Sequence, residues 1–160
     1  MPDLDFVTSM GEVFNASEFE RERSWEKLRP HGLVLKCVQS SQAVTCGKIL
    51  SRAKAEVTSM REAIGVRLCC FKIGITSNPP QRYASYIQRG FTRMSVLAIS
   101  NSIDLISMLE AALISEFQQH VGCKNKWNSG GEGGLDKRSL DPPFYAYVAG
   151  GRADQSRWVG

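Results

Sequence analysis

The sequence lacks the features of secreted and membrane-spanning proteins. Its five cysteines include no C-x-x-C pair and are odd in number, which argues against a disulfide framework and favours a reducing compartment. Residues 1–10 contain no basic segment followed by an apolar run, so we expect no secretory signal. No apolar stretch approaches the roughly 18 residues that a membrane span requires. These absences together favour an intracellular protein, either nuclear or cytoplasmic.

Two common ligand-binding motifs are also missing. His120 and Cys123 form an isolated H-x-x-C pair, and no second pair completes the four ligands of a structural zinc site. The glycine-rich segment 129–134 is not followed by G-K-[ST], so it is not the phosphate-binding loop of a P-loop nucleotidase. We therefore expect neither a zinc site nor a nucleotide site of this type.

The charge of the chain is unevenly distributed. Hydrophobic residues make up 42% and charged residues 22%, which is typical of a folded soluble domain. Residues 1–60 hold eight basic and eight acidic side chains, whereas residues 61–160 hold twelve basic and eight acidic ones. The whole net charge of +4 therefore lies in the later segment. A basic surplus suits a nucleic-acid partner, although many soluble domains have a similar charge.

Hydrophobic periodicity and cap signals predict a small α/β sandwich or an α+β domain. Asn78 and Pro79 mark one helix start, and Asn101 or Ser102 marks another. The predicted strands cover residues 32–38, 66–76, 94–100 and 144–148, and the predicted helices cover residues 47–63, 79–90 and 102–119.

We expect three segments along the chain. An N-terminal arm over 1–64 would be helical with a possible short strand, an α+β domain would cover 65–149, and 150–160 would form a basic C-terminal tail.

The helix predicted over 102–119 contains an unusual carboxylate. Glu110 falls in the middle of an apolar stripe, within roughly 60° of its members on a helical projection. The stripe consists of Ile103, Ile106, Leu113, Ile114 and Phe117. A carboxylate on a buried face is costly unless it is paired, hydrogen-bonded or bound to a metal. A buried salt bridge, or a helix rotated to place Glu110 at its edge, would also account for this position, whereas Glu116 lies outside the stripe.

The helix that begins near Pro79 provides complementary charge. Arg82, Tyr86 and Arg89 have i, i+4, i+7 spacing and share one face. Two guanidiniums and a phenol suit recognition of phosphate and of a base or sugar. A solvated basic face is the alternative.

These motifs occur in one order, which resembles that of the GIY-YIG nuclease superfamily, and especially the branch whose second motif is K-I-G-x-T. They are Lys72-Ile73-Gly74-Ile75-Thr76, Asn78-Pro79, Arg82, Tyr86, Glu110-Ala111-Ala112-Leu113-Ile114, an asparagine, and Gly130-Gly131-Glu132-Gly133. The resemblance covers roughly residues 65–149 and implies an α+β fold, with a small mixed or antiparallel sheet flanked by helices. It also implies a metal-dependent endonuclease that hydrolyses DNA, more so than RNA, with Mg (or Mn).

The resemblance implies a role for each matching residue. Glu110 would hold the metal, Arg82 would bind and stabilise the phosphate, and Tyr86 would be the partner of that arginine. Gly74 would let substrate approach the strand. The further residues that would contact nucleic acid are Lys72, Arg89, Asn125 and Asn128, where Asn125 or Asn128 would also order the site and Asn125 is preferred on its distance from the glutamate helix.

The sequence departs from the family pattern at the strand tyrosines. Phe71 stands where we expect the tyrosine of the second motif, and no GIY tripeptide precedes it. Tyr86, Tyr83 or a strand tyrosine such as Tyr145 could substitute. Tyr145 and Tyr147 alternate along one strand, a pattern that is more typical of core or cross-strand packing than of chemistry.

Three functions therefore stay open. The first is a metal-dependent endonuclease, the second an inactive nucleic-acid-binding module on the same fold, and the third a protein-interaction domain that docks through residues 1–60.

Overall fold

The computed structural model describes residues 5–7, 13–15, 22–35, 46–125 and 141–154. The strands are β1 (Asp5–Val7), β2 (Val13–Asn15), β3 (Leu33–Leu35), β4 (Cys69–Thr76), β5 (Arg93–Ser100) and β6 (Phe144–Arg152). The helices are α1 (Arg23–Leu28), α2 (Cys46–Ile64), α3 (Pro79–Ile87) and α4 (Ile103–Phe117).

Over the described residues the fold is α+β, as predicted, with a four-stranded mixed sheet flanked by four helices. The strand order is β3-β5-β6-β4, so the last strand in sequence lies inside the sheet. β3 pairs with β5 in parallel, whereas β6 is antiparallel to both of its neighbours, β5 and β4. β1 and β2 form a separate antiparallel pair.

Successive strand residues point to opposite sides of the four-stranded sheet, and helices cover both of these faces. One face packs against α2 and α4 through a core that includes Val57, Phe71, Ile73, Leu97, Leu113, Phe117 and Val148. The other face packs against α1 and α3 through a core that includes Trp25, Tyr83, Tyr86, Met94, Val96 and Tyr147.

The predicted helix caps are confirmed. The Asn78 side chain accepts a hydrogen bond from the backbone N–H of Gln81 at 3.2 Å, directly before Pro79. The Ser102 hydroxyl accepts one from the N–H of Leu105 at 3.3 Å. These bonds satisfy amides that a helix start leaves without an intrahelical partner. Both helices are therefore fixed at the ends that their sequences mark.

The element bounds differ from the sequence-based ones in two informative places. β6 continues to Arg152, because it pairs with the whole of β4 down to Cys69. β3 joins the sheet and α2 covers it, so residues of the expected arm contribute to the same core as residues 65–149. None of the helices in the described ranges is both long and apolar enough to span a membrane.

Candidate active site

The candidate site is built on the antiparallel pair of β4 and β6. Gly74 lies opposite Tyr147 in this ladder. A Cβ atom at Gly74 would lie 2.5 Å from the Tyr147 hydroxyl oxygen and 2.7 Å from its Cζ. The phenol ring therefore crosses the backbone of Gly74, and only glycine leaves room for it. This contact gives Gly74 a packing role, in addition to the substrate approach that the sequence motif implies.

Tyr147 meets the helix tyrosine of the predicted site. The hydroxyls of Tyr86 and Tyr147 are 2.9 Å apart and form a buried hydrogen bond. The Tyr86 ring stacks on Phe91 with 5.1 Å between centroids and meets the Tyr147 ring edge-on at 5.9 Å. These contacts hold both phenols in place, so α3 and β6 together form the floor of the site.

Nearby charges act on both phenols. Burial raises the pKa of Tyr86, whereas its hydrogen bond with Tyr147 and the guanidiniums of Arg82 and Arg89 lower it. Burial raises the pKa of Tyr147 well above its ordinary value, and Arg82 again opposes this effect. The carboxylate of Glu110 raises the pKa of both phenols. Both tyrosines are therefore neutral near pH 7.

Glu110 lies on the buried side of α4, as its place in the apolar stripe predicts. Its side chain is 2% exposed, among buried Ile106, Leu113 and Ile114. Its carboxylate raises the pKa of both phenols, although α4 packs on one face of the sheet and the phenols on the other. Glu116 is half exposed on the same helix and pairs with Lys54 at 3.5 Å. This helix therefore carries a buried carboxylate at Glu110 and an exposed one at Glu116.

Asn125 binds the strand that bears Gly74. Its side-chain oxygen accepts a hydrogen bond from the N–H of Ile73 at 2.9 Å, and its Nδ2 donates one to the Ile73 carbonyl at 2.8 Å. The backbone just before it pairs with Phe71, through Gly122 and Lys124. Asn125 therefore makes the hydrogen bonds that a neighbouring strand would make at the outer edge of β4. This contact fits the ordering role that the sequence analysis preferred for it. Asn128 and the glycine-rich segment lie outside the described residues.

The structure shows that Phe71 does not occupy the position of a tyrosine in the candidate site. Phe71 points to the α2 and α4 face, where its ring meets that of Phe117 at 6.2 Å and lies under the Arg61 guanidinium at 5.1 Å. Strand alternation instead puts Lys72 on the same face as Gly74. Phe71 is therefore a core residue, and Lys72 is the residue that shares the face of Gly74. The Lys72 side chain is 6% exposed.

Tyr147 is the residue that the sequence interpretation did not single out, because Tyr145 and Tyr147 shared one expectation, that of packing. The available signal was weak: Tyr145 and Tyr147 alternate along one strand, and nothing local distinguishes them. Only the pairing of β6 with β4 shows that Tyr147, and not Tyr145, lies opposite Gly74.

Metal binding would depend on Glu110. Among residues 22–35, 46–125 and 141–154, no three His, Cys, Asp or Glu side chains form a group that could hold a metal ion. Mg²⁺ often binds proteins through one or two carboxylates and completes its shell with water and substrate phosphate. A single carboxylate therefore fits Mg²⁺ or Mn²⁺ only as one ligand beside water and phosphate oxygens.

Comparison of the chain with protein-family models, with curated proteins and with solved structures finds no match in any of the three.

Proposed function

We propose that the chain is a metal-dependent endonuclease that hydrolyses DNA phosphodiester bonds at the site of Arg82, Tyr86, Glu110 and Tyr147. The main support is a buried hydrogen bond between two phenols whose pKa values respond to two opposite charges. The Arg82 guanidinium lowers both pKa values, and the buried carboxylate of Glu110 raises them. Phosphodiester hydrolysis needs these three functions: a cation for the phosphate, a metal-binding carboxylate and groups that handle a proton.

Each side chain has a distinct task in this proposal. Arg82 binds the scissile phosphate and stabilises the negative charge that develops on it. Glu110 holds Mg²⁺ or Mn²⁺, which when bound would polarise the phosphate and assist the leaving oxygen.

The phenol pair orients the attacking water. Because burial raises both pKa values, neither tyrosine is a phenolate at rest, so each acts first as a hydrogen-bonding group. In the hydrogen bond between them, either hydroxyl can be the donor.

A second function is favoured by one observation. Glu110 and both phenols are at most 5% exposed, so a phosphate reaches them only if the site opens. A module that binds DNA without cutting it would need no such opening. This is the inactive binding module that the sequence left open.

Nicking of supercoiled plasmid tests the two functions. Wild type with Mg²⁺ or Mn²⁺ should convert supercoiled DNA to open circles, and EDTA should stop the reaction. Glu110→Gln should abolish nicking, whereas the matched variant Glu116→Gln, which changes an exposed carboxylate of the same helix, should cut normally. Folded wild type that binds DNA but never nicks it would establish the binding module instead.

A further inference from the structure

Arg61 is a buried cation near the end of α2, outside the candidate site. Its side chain is 7% exposed, and its guanidinium lies over the Phe71 ring of β4, 5.1 Å from the ring centroid. Its Nε–H has no hydrogen-bond partner among the described residues. Because burial keeps water from replacing a lost partner, the hydrogen bonds that this guanidinium does make are costly to break.

These hydrogen bonds reach the turn that follows α4. Nη1 of Arg61 lies 2.8 Å from Nδ1 of His120, and Nη2 donates to the carbonyl of Val121 at 3.5 Å. The His120 ring also meets the Phe117 ring edge-on, with 5.0 Å between centroids. Arg61 therefore ties the end of α2 to the end of α4 through His120.

The residues that follow His120 pair with the outer edge of β4. The N–H of Phe71 donates to the carbonyl of Gly122 at 2.9 Å, and the N–H of Lys124 donates to the carbonyl of Phe71 at 2.8 Å. The side chain of Asn125 continues this pairing along the strand. The contact between α2 and the turn thus extends to the strand on which the candidate site is built.

The contact between Arg61 and His120 fixes the protonation state of the imidazole. A guanidinium has only donors, so Nδ1 of His120 must present its lone pair, and the ring proton of the neutral form must lie on Nε2. A protonated imidazole has no lone pair and would place a second positive charge beside Arg61. Imidazoles ordinarily change charge between about pH 5 and 8, so this hydrogen bond is lost as the pH falls through that range.

Two thiols share the charge of Arg61 with His120. Burial raises the pKa of Cys69, on β4, from 9.0 to about 11, and burial also raises the pKa of Cys123, in the turn. Arg61 lowers both pKa values but reverses neither shift. Both thiols therefore stay neutral at the pH values at which an imidazole changes charge.

The charged groups on the flanking elements are paired or partly exposed. Glu116, near the end of α4, pairs with Lys54 of α2 at 3.5 Å. Glu62 of α2 is exposed, and Lys124 of the turn is half-buried. Of the groups that the structure describes here, His120 is the one whose change of charge acts directly on the hydrogen bond to α2.

We propose that Arg61 and His120 form a pH-sensitive clamp, which holds residues 120–125 on β4 and releases them when His120 is protonated. The stabilisation from this contact is present in neutral and alkaline solution and is lost as the pH falls through the imidazole range. Because β4 carries Gly74, release would loosen the candidate site in mildly acidic solution. The clamp is a property of the fold and does not require the proposed nuclease activity, so its test needs no DNA.

Hydrogen exchange measured by NMR at about pH 7.5 and 5.5, with each rate divided by that of an unstructured peptide, tests the clamp. The N–H of Phe71 should exchange about tenfold faster at the lower pH, because the turn that accepts its hydrogen bond is released. The N–H of Lys72, on the same strand, points to β6 instead and should keep its rate. Long-range proton–nitrogen spectra at the higher pH should place the His120 ring proton on Nε2.

Two variants change the titrating group. His120→Asn puts an amide oxygen close to the position of Nδ1, so it keeps an acceptor that does not titrate, and exchange at Phe71 should no longer depend on pH. His31→Asn is the matched control, because it removes the other histidine of the chain and should keep the wild-type pH dependence.

Several results would overturn the clamp. One is a corrected Phe71 rate that is the same at both pH values, and another is a His120 ring proton on Nδ1, which wild type alone reveals. Equal acceleration at Phe71 and Lys72 would mean global unfolding, and pH dependence that persists in His120→Asn would assign it to another group. None of these results bears on plasmid nicking, so failure of the clamp and failure of the proposed function are separate outcomes.

Discussion

The hydroxyls of Tyr86 and Tyr147 form a buried hydrogen bond of 2.9 Å between a helix and a strand that lie 61 residues apart in sequence. Tyr147 belongs to the last strand, which lies between β5 and β4 in the sheet. The site proposed for phosphodiester hydrolysis therefore depends on the end of the described chain as much as on the motifs over residues 72–110.

Gly74→Ala should damage the site through Tyr147. The added methyl group would lie 2.5 Å from the Tyr147 hydroxyl oxygen, so the ring must move and the hydrogen bond to Tyr86 should break. Overpacking of this kind lowers the free energy of unfolding by about 1–3 kcal/mol. Chemical denaturation measures the loss.

Tyr147→Val provides the partner change for a double-mutant cycle. It removes the ring that the new methyl group would meet, so the double variant should lose less stability than the two single changes added together. Additive losses would show that Gly74 is needed for some other reason.

Asn125→Ala should loosen the outer edge of β4. The change removes the partners of both the N–H and the carbonyl of Ile73, and each buried group left unpaired costs about 1–3 kcal/mol. Hydrogen exchange at the Ile73 amide should accelerate strongly, whereas Gln119→Ala, at an exposed position, should leave it unchanged. An Ile73 amide that stays protected in Asn125→Ala would contradict this role.

Stability should fall in alkaline solution. Burial raises the pKa of Cys69 from its ordinary 9.0 to about 11. Burial also raises the pKa of Tyr83 from 10.0 to about 12. Between the ordinary pKa and the raised pKa of each group, the unfolded chain releases a proton that the folded chain retains. The stabilisation present below pH 9 is therefore lost as pH rises toward 12.

Urea denaturation at several pH values checks the alkaline loss. In Cys69→Ala the decline between pH 9 and 11 should be shallower than in wild type, because the buried thiol that titrates in this range is gone. An identical slope in the variant would show that the Cys69 thiol does not contribute.

Local signals account for what the sequence predicted. Asn78 and Ser102 mark helix starts through their own side-chain bonds, which involve residues only three positions away. Glu110 was placed on the buried face of its helix because 3.6-residue periodicity is a property of the helix alone. Fold class followed from the order of such elements.

Long-range pairing accounts for what the sequence could not predict. Sequence order does not reveal that β6 inserts between β5 and β4, and therefore does not reveal which tyrosine faces Gly74. Asn125 could be preferred to Asn128 only on spacing, since its bonds to Ile73 span 52 residues. The assignment of Phe71 to the tyrosine position of the second motif was wrong for a simpler reason. Strand alternation alone places Lys72, and not Phe71, on the face of Gly74.

The most direct test of the account is the nicking rate of Tyr147→Phe in Mg²⁺. This change removes one hydroxyl and keeps the ring that packs on Gly74 and Tyr86. Loss of a group that handles a proton should slow nicking by about 10²-fold. Tyr145→Phe, which removes a hydroxyl from the same strand, should cut at the wild-type rate. Nicking by Tyr147→Phe at the wild-type rate would contradict the role given to the last strand.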